Sequence, residues 1–455
     1  MTRSNLFYVA LVFAVALGQT SNMTAQAAHS VSVKDFGAKG DGVTDDTKAI
    51  QAALTSVPTG IVTFPVSNGC YKSGNLMISD KTDFVLEGNH QEICWTGTAN
   101  ADEFIGFQYS GSLTNVTIQN FRLIGDEILG DRHCGVWGRS GARLANLRIT
   151  GSYIHNVTLG ISINAEKSGS ISRFSVDHNN IDTVLGTEPG SGYGIHHANG
   201  SGNPSNGTIE ENTIARTQRH GIYQAKGSRV LIRKNTILNH RQAVPEVVGS
   251  PRPAVQIARS TYIAFEDNVI EGAKDGSLQV ALQPGTTCDH ITVNGTTITR
   301  PVGPQSPVTI GTSDPQHDGI CTNVRFSNNT ISYELEGSPA LQIDSGKHVL
   351  VVNNVFSVTS RSREGAVIGL RGYGEAPGTA LYTDDVTFSG DKISASRTAG
   401  ALHALAIYRG AARAGMHVTF DSNTYDVPGD EFWYEIPAGN PNLKILDQRR
   451  SGRRP

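Results

Sequence analysis

Side chains able to move protons recur at one position of a short phrase in the middle of the chain. The phrase is a small residue, an apolar residue and a variable residue. In successive copies the variable residue is Trp137, Ser162, His196, Tyr223, Gln256 and Gln279. Imidazole and phenol groups serve as acids and bases in catalysis, and an unperturbed histidine has a pKa of about 6.5. His196 and Tyr223 are therefore the first candidates for catalysis.

The apolar residue of each copy predicts which way its neighbours face. These apolar residues are Val136, Ile161, Ile195, Ile222, Val255 and Leu278. If they point inward from stacked strands, the variable residues point outward, because side chains alternate along a strand. Rungs lie about 4.8 Å apart, so His196 should stand beside Tyr223 on an exposed face. The same alternation predicts that Tyr193 and His197 face the interior.

The outward residues suit a surface that binds sugars. Aromatic planes such as that of Trp137 stack on sugar rings, and the amides of Gln256 and Gln279 bond to hydroxyl groups. Three neighbours in sequence are further candidates for substrate binding: Asn199, Lys226 and Arg259. A local group of basic residues in a chain of net charge −3 favours an acidic polysaccharide as partner and gives no support for nucleic acid.

The reaction follows from what a uronic acid requires. Removing its C5 proton needs a neutralised carboxylate, a base near the carbon and an acid for the leaving oxygen. Arg219 or Arg259 can neutralise the carboxylate, His196 can act as base, and Tyr223 can protonate the leaving oxygen. His220 is a fourth candidate, although it can equally satisfy a turn. The resulting reaction is β-elimination, which cleaves the chain and leaves an unsaturated end. Return of the proton to the opposite face of the sugar would instead give C5 epimerisation.

A second repeated phrase, Asn followed within two residues by an apolar side chain, predicts the fold. It occurs at Asn180, Asn212, Asn235, Asn268, Asn329, Asn354 and Asn423. The spacing, mostly about 23 to 35 residues or roughly twice that, is typical of a solenoid. Short runs of Val, Ile, Thr and Phe bounded by turn residues indicate strands. We therefore expect an all-β chain folded as a right-handed parallel β-helix, with Asn stacking at an inward turn position.

The segment from Asp35 to Ile50, Asp-Phe-Gly-Ala-Lys-Gly-Asp-Gly-Val-Thr-Asp-Asp-Thr-Lys-Ala-Ile, resembles the opening of the pectate-lyase-superfamily domain of parallel β-helix proteins. The resemblance implies a first strand, a glycine turn and a capping helix. Thr44 is the expected N-cap of that helix, with Asp45 and Asp46 in its first turn. We expect these acids to cap the helix rather than to act as catalysts.

The central coils resemble those of alginate C5-epimerases and related lyases. The stretch Tyr193-Gly-Ile-His196-His197 stands where the epimerases carry Tyr-Gly-Phe-Asp-Pro-His. Tyr193 and Gly194 match, His196 replaces the Asp, and Ala198 replaces the last His. The resemblance implies a groove for an acidic polysaccharide with a changed set of acids and bases.

Two other functions stay open. A glycoside hydrolase needs two or three convergent carboxylates, and the central coils lack the Asp-Asp pair typical of polygalacturonases. A non-catalytic carbohydrate-binding surface protein would use the same aromatic and amide face. We expect no cofactor and no metal site. Calcium is a weaker possibility, because no cluster of carboxylates marks the predicted groove.

The ends of the chain indicate export. Arg3, an apolar stretch at 6–17 and small residues before a cut after Ala27 predict a signal peptide at 1–27. The β-helix domain is expected at 28–445 and a basic tail at 446–455. The mature protein is then expected to be secreted or periplasmic, monomeric and free of the membrane.

The cysteines follow the period of the coils. Cys70 and Cys94, and likewise Cys288 and Cys321, are each about one coil apart, so each pair can either form a disulfide or pack as buried thiols. Cys134 is left over.

Overall fold

A computed structural model describes most of the chain. The described residues are 29–97, 104–126, 132–139, 141–165, 168–186, 190–200, 204–242, 252–281, 288–311, 320–335, 338–360, 365–371, 383–397, 402–407, 417–428, 432–434 and 444–447. The predicted signal peptide and most of the predicted basic tail lie outside them. The strand Lys444–Asp447 pairs in parallel with His417–Asp421, so the last described coil runs past the predicted boundary at residue 445.

The described strands pair in parallel and form a right-handed parallel β-helix, as the repeats predict. Each coil passes through three faces, which we call the front, second and third faces. The front face is formed by His133–Gly138, Leu159–Asn164, Tyr193–Ala198, Leu278–Ala281, Val308–Ile310, Leu341–Ile343, Gly365–Leu370, Leu402–Ile407 and Phe432–Tyr434. Four long strands turn the corner and belong to both the front and second faces: Leu76–Glu87, Ile105–Gln119, His220–Arg233 and Val255–Glu266.

The other two faces complete each coil. The second face is formed by Ser30–Ser32, Gly60–Thr63, Arg143–Thr150, Ser170–Asp177, Gly207–Glu210, Cys288–Asn294, Cys321–Ser327, Gly346–Val352, Thr383–Ser389, His417–Asp421 and Lys444–Asp447. The third face is formed by Tyr71–Ser73, Glu92–Trp95, Arg122–Ile124, Tyr153–Val157, Asn180–Val184, Thr213–Thr217, Thr236–Leu238, Val269–Glu271, Thr297–Thr299, Thr330–Leu335, Val355–Ser360, Lys392–Arg397 and Thr424–Asp426.

The core consists of apolar side chains stacked along the axis of the solenoid. On the third face, Ile154, Ile181 and Ile214 pair in register and are fully buried. Near the end of the described chain, the rings of Phe388 and Phe420 stack with centroids 5.2 Å apart. Each coil therefore buries its apolar side chains against its neighbours, which is the packing rule of a solenoid.

An asparagine ladder fixes the turn between the second and third faces. Asn212 shows the pattern: its backbone N–H and its Nδ2 both donate to Oδ1 of Asn235, at 3.1 and 2.9 Å, and Nδ2 also donates to the Val176 carbonyl at 2.9 Å. Most members of the repeated phrase lie in this ladder, as predicted. One prediction was wrong by a residue, because the ladder contains buried Asn179, whereas Asn180 is exposed.

The helix Thr47–Ser56 covers the N-terminal end of the solenoid, and Ile50, Ala53 and Leu54 on one side of it are fully buried. Its N-cap residue is Asp46 rather than Thr44, so that prediction was wrong. The Asp46 carboxylate is buried and accepts from the backbone N–H groups of Lys39 and Gly40, at 2.7 and 2.9 Å. This acid therefore holds the glycine turn in place. None of the described helices is long and apolar enough to cross a membrane.

Both predicted cysteine pairs are disulfides, Cys70–Cys94 and Cys288–Cys321, and each joins neighbouring coils. Cys134 is a buried free thiol, and burial raises its pKa.

Asp391 occupies a position of the ladder that asparagine holds in most coils. Its Oδ1 accepts from the backbone N–H and Nδ2 of Asn354, at 2.8 and 2.9 Å. Its Oδ2 is buried without a hydrogen bond. The equivalent atom of Asn423 on the next coil, Nδ2, donates to the Phe388 carbonyl. An ionised oxygen cannot donate there, so the ladder favours a protonated acid, and burial raises the pKa of Asp391 to about 6.

Asp391→Asn should stabilise the protein at neutral pH. The pKa of Asp391 rises from 3.8 to about 6 on folding. Folding therefore retains a proton that the unfolded chain loses, and stability falls as the pH rises from about 4 to 6. Above pH 6 the cost is about 3 kcal/mol by this shift. The urea midpoint of Asp391→Asn should exceed that of wild type at pH 8 and match it more closely at pH 4.

The reciprocal control is Asn235→Asp, which should introduce a similar loss at pH 8. If the difference in urea midpoint between Asp391→Asn and wild type were the same at pH 4 and pH 8, that result would contradict a protonated acid in the ladder.

Candidate active site

One outward column runs along the front face. Strand register places its members on consecutive coils in the order Gln108, Trp137, Ser162, His196, Tyr223, Gln256, Gln279, Thr309 and Gln342. The apolar neighbours predicted to face inward, such as Ile195 and Ile222, are fully buried. The alternation inferred from sequence therefore holds at these inward and outward positions.

His196 and Tyr223 lie side by side in the column. Their rings stack with centroids 5.5 Å apart and planes 16° apart, and both side chains are partly exposed. Nδ1 of His196 lies 3.1 Å from Oγ of Ser162 on the preceding coil. When Nδ1 carries the proton of this hydrogen bond, Nε2 retains a lone pair and can act as a base.

Tyr193 also belongs to this cluster, contrary to the prediction that it faces inward. Its ring lies 5.5 Å from that of His196 and 5.2 Å from that of Tyr223. The reason is the corner at Gly194, where a Cβ would point into the interior and meet Cγ2 of Ile214 at 2.6 Å. Gly194 and Ile195 thus both face inward, so the alternation is broken and Tyr193 packs outside the main core, where it is still only 6% exposed.

The same corner occurs on adjacent coils. The glycines whose added Cβ would meet isoleucines of the third face are Gly135, Gly160, Gly194 and Gly221. Glycine is required here because a side chain on the interior side has no room. The residues just before these glycines therefore lie outside the main core, as the small cluster of Cys134, Leu159 and Tyr193 shows.

His220 lies beneath the cluster and is buried. Its ring stacks on Tyr223 at 5.0 Å and on Tyr193 at 5.5 Å. Nδ1 donates to the Pro253 carbonyl at 2.6 Å, since a carbonyl can only accept. Burial holds the pKa of His220 well below its usual value, so the ring is neutral at working pH.

Two arginines supply positive charge to the cluster. The Arg219 guanidinium lies 5.8 Å from the ring centre of Tyr193. Arg252, a residue that sequence reasoning missed, stands at the position of Arg219 on the next coil, and burial together with the nearby charge of Arg219 lowers its pKa. The signal for Arg252 was present in the sequence, because it stands four residues before Gln256 as Arg219 stands four before Tyr223.

Three predicted binding residues do not join the outward column. Asn199 is buried, and its Nδ2 donates to the Ile171 carbonyl and to Ser205 Oγ, at 3.3 and 3.1 Å. Lys226 and Arg259 have left-handed backbones, with φ of 77° and 53°, at the corner after the front strands. These three residues therefore stand outside the register of the column, and their predicted roles in substrate binding stay predictions.

The remaining predicted residues extend the column in both directions. Gln256 donates from Nε2 to Oε1 of Gln279 at 2.8 Å, although Gln256 is only 9% exposed. On the other side, the Trp137 ring lies 5.0 Å from that of Phe104. The cluster is therefore flanked by an aromatic pair and by an amide pair.

His197 faces the interior, as alternation predicts. Its ring stacks on Phe174 at 4.6 Å, and Nδ1 donates to Oε1 of Gln224 at 2.9 Å. Burial lowers the pKa of His197 to about 3, so this histidine is a neutral core residue.

Among the described residues, one group of three potential metal ligands occurs, Cys70, Glu92 and Cys94. The two sulfurs of this group form a disulfide, so it does not offer thiolate ligands. The expectation that no metal or cofactor takes part stays a prediction.

Parallel coils under an N-terminal capping helix define a right-handed parallel β-helix protein of the pectate lyase-like superfamily. The chain belongs to the rhamnogalacturonase A/epimerase, pectate lyase-like family, whose model matches residues 30–276, more than half of the chain. No curated protein sequence matches the chain.

Solved structures share the fold at low identity. The A-module of a mannuronan C-5 epimerase from Azotobacter vinelandii is 14% identical, with a TM-score of 0.57, over 92% of this chain and 100% of that one. The catalytic unit of an α-1,3-glucanase from Streptomyces thermodiastaticus is 18% identical, with a TM-score of 0.51, over 94% of this chain and 70% of that one. A tailspike of Escherichia coli bacteriophage HK620, bound to a hexasaccharide, is 13% identical, with a TM-score of 0.58, over 91% of this chain and 80% of that one.

Gly194→Ala should destabilise the protein because of the corner geometry. The added methyl group would meet Cγ2 of Ile214 and the Gly221 carbonyl oxygen, each at 2.6 Å. Overpacking of this kind costs about 1–3 kcal/mol, and thermal unfolding followed by circular dichroism would measure it.

Gly74→Ala is the matched control, since its Cβ would make only ordinary contacts of 3.5 Å and longer. Equal stability of the two variants would show that Gly194 does not face the interior.

Proposed function

We propose that the protein is an exported polysaccharide lyase that cleaves a uronic-acid-containing polymer by β-elimination. The observation that carries the proposal is the stacked pair of His196 and Tyr223, with Arg219 and Arg252 beside it. A base, an acid and positive charge in one cleft are the groups that β-elimination of a uronate needs.

In the proposed reaction, Nε2 of His196 removes the C5 proton of the uronic acid unit. The C–H electron pair forms the C4–C5 double bond, and the bond from C4 to the glycosidic oxygen breaks. The Tyr223 hydroxyl gives its proton to the leaving oxygen. The positive charge of the arginines stabilises the negative charge that develops on the carboxylate.

The environment of the cluster supports this division of roles. Ser162 bonds to Nδ1 of His196, and when Nδ1 is the donor of that bond the lone pair lies on Nε2. The stacked rings put the imidazole and the phenol within reach of the same sugar unit. Trp137, Gln256 and Gln279 offer aromatic and amide contacts to neighbouring sugars.

The outward column argues against a hydrolase. From Gln108 to Gln342 it contains no Asp or Glu. Hydrolysis of a glycosidic bond usually needs a pair of carboxylates on either side of that bond. The titratable groups that the column does contain, an imidazole and a phenol, suit proton abstraction better.

C5 epimerisation is the second candidate, because it shares the first step and returns the proton to the opposite face. Tyr193 favours it, since this ring brings a second phenol into contact with His196 and Tyr223. The related fold of the mannuronan C-5 epimerase is consistent with this alternative.

Incubation with alginate, polygalacturonate and other acidic polysaccharides should produce ultraviolet absorbance from the new double bond. His196→Ala and Tyr223→Phe should each lower the rate by about 100-fold or more, since each removes a general acid or base. Tyr262→Phe is the control, because Tyr262 is 55% exposed and lies outside the column.

The alternatives give different signals. Reducing ends without absorbance would indicate hydrolysis, and deuterium at C5 without cleavage in D₂O would indicate epimerisation. Binding without any reaction would indicate a non-catalytic surface protein. Full activity in both His196→Ala and Tyr223→Phe would overturn the assigned pair.

A further inference from the structure

Arg219 and Arg252 occupy the same position on consecutive coils. Tyr223 pairs with Gln256, and the Gly221 N–H donates to the Ala254 carbonyl at 2.7 Å, so the register continues back to both arginines. Consecutive coils lie about 4.8 Å apart. The next coil has Asp275 at this position, and Asp275 pairs with Arg241 at 2.7 Å. Two like charges thus stand next to each other beside the cluster.

Arg252 forms no ion pair within the part of the chain that the structure describes. It is partly buried, and burial together with the charge of Arg219 lowers its pKa. Keeping two guanidinium groups close together while partly removed from water costs free energy. A bound anion would offset that cost.

Two buried histidines hold the backbone that carries Arg252. Nδ1 of His220 donates to the Pro253 carbonyl at 2.6 Å, and Nε2 of His240 donates to the Arg252 carbonyl at 2.7 Å. Nδ1 of His240 lies 2.9 Å from Oγ1 of Thr217, which fixes that ring. Burial keeps both histidines neutral, with a pKa of about 4 for His240. Two consecutive carbonyls are therefore each held by a buried histidine.

We propose that Arg252 binds the carboxylate of a uronic acid unit together with Arg219, and that His220 and His240 are positioning residues that hold Arg252 at the cleft. The proposal rests on the proposed function, because it assigns the carboxylate subsite of the same cleft. Arg252 thus takes the carboxylate-binding role that the sequence analysis offered to Arg259, which lies at a different corner. His220 then acts without touching the substrate.

The carboxylate itself provides the discriminating experiment. Alginate and polygalacturonate can each be offered as the free acid and as the chemically methyl-esterified polymer, which has no charge to bind. Arg252→Gln should lower kcat/KM on the free acid by on the order of 100-fold and change the rate on the ester little. Arg252→Lys should recover part of the loss because it keeps the charge.

Arg229→Gln is the matched control, since this exposed arginine lies on the second face and its loss changes the net charge equally. Equal effects of Arg252→Gln and Arg229→Gln on the free acid would overturn the proposal. Equal losses by Arg252→Gln on acid and ester would overturn it too.

A double-mutant cycle tests the role of His220. His220→Gln keeps a donor for the Pro253 carbonyl and should retain most activity, whereas His220→Ala should not. In the Arg252→Gln background, His220→Ala should cost little more, because both changes remove one interaction. Multiplied losses would show that His220 acts independently of Arg252. If His220→Ala fails to fold, the Arg252 variants and His220→Gln decide.

Binding separates this proposal from the proposed function. Affinity electrophoresis in gels containing alginate or polygalacturonate measures binding without any reaction. If wild type is retarded but forms no unsaturated product, and Arg252→Gln alone loses retardation, the carboxylate subsite stands and the lyase assignment fails. If wild type forms product and Arg252→Gln behaves like Arg229→Gln, the lyase assignment stands and the carboxylate subsite fails. Wild type that neither binds nor cleaves either polymer would overturn both.

Discussion

The register between neighbouring coils is the constraint on which the molecule depends. The asparagine ladder holds it at the turn between the second and third faces, where each amide bonds to the next coil and to a backbone carbonyl. Each hydrogen bond contributes about 1 kcal/mol net, but a slip of one residue would turn every inward side chain outward. Because the ladder prevents that slip, His196 meets Tyr223 on the opposite side of the coil.

Most of the fold could be predicted from sequence because the solenoid repeats a local pattern. The inward Ile195 and Ile222 and the outward His196 and Tyr223 follow from alternation alone. Alternation fails where the backbone bends. Alternation predicts that Tyr193 faces the main core, but the pattern of apolar residues does not show the corner at Gly194. Single-residue placement in a ladder is likewise hard to read when two asparagines are adjacent.

The candidate site divides its histidines by environment. His196 is partly exposed and meets Tyr223 on the front face, whereas His197, His220 and His240 are buried. Burial keeps these three neutral, so they serve as buried hydrogen-bonding groups. The sequence shows four histidines near one another and cannot rank them, because burial and hydrogen-bond partners depend on coils that are distant along the chain.

The two long strands His220–Arg233 and Val255–Glu266 turn from the front to the second face without an intervening loop. Left-handed residues mark the bend: Lys226, Gly227 and Arg229 in the first strand, and Arg259 and Tyr262 in the second. These two corners therefore offer no loop that could accommodate inserted residues. Duplication of whole coils would lengthen the front face more readily than insertion of residues within one coil. A family built in this way would diversify in steps of one rung while its central chemistry keeps its spacing.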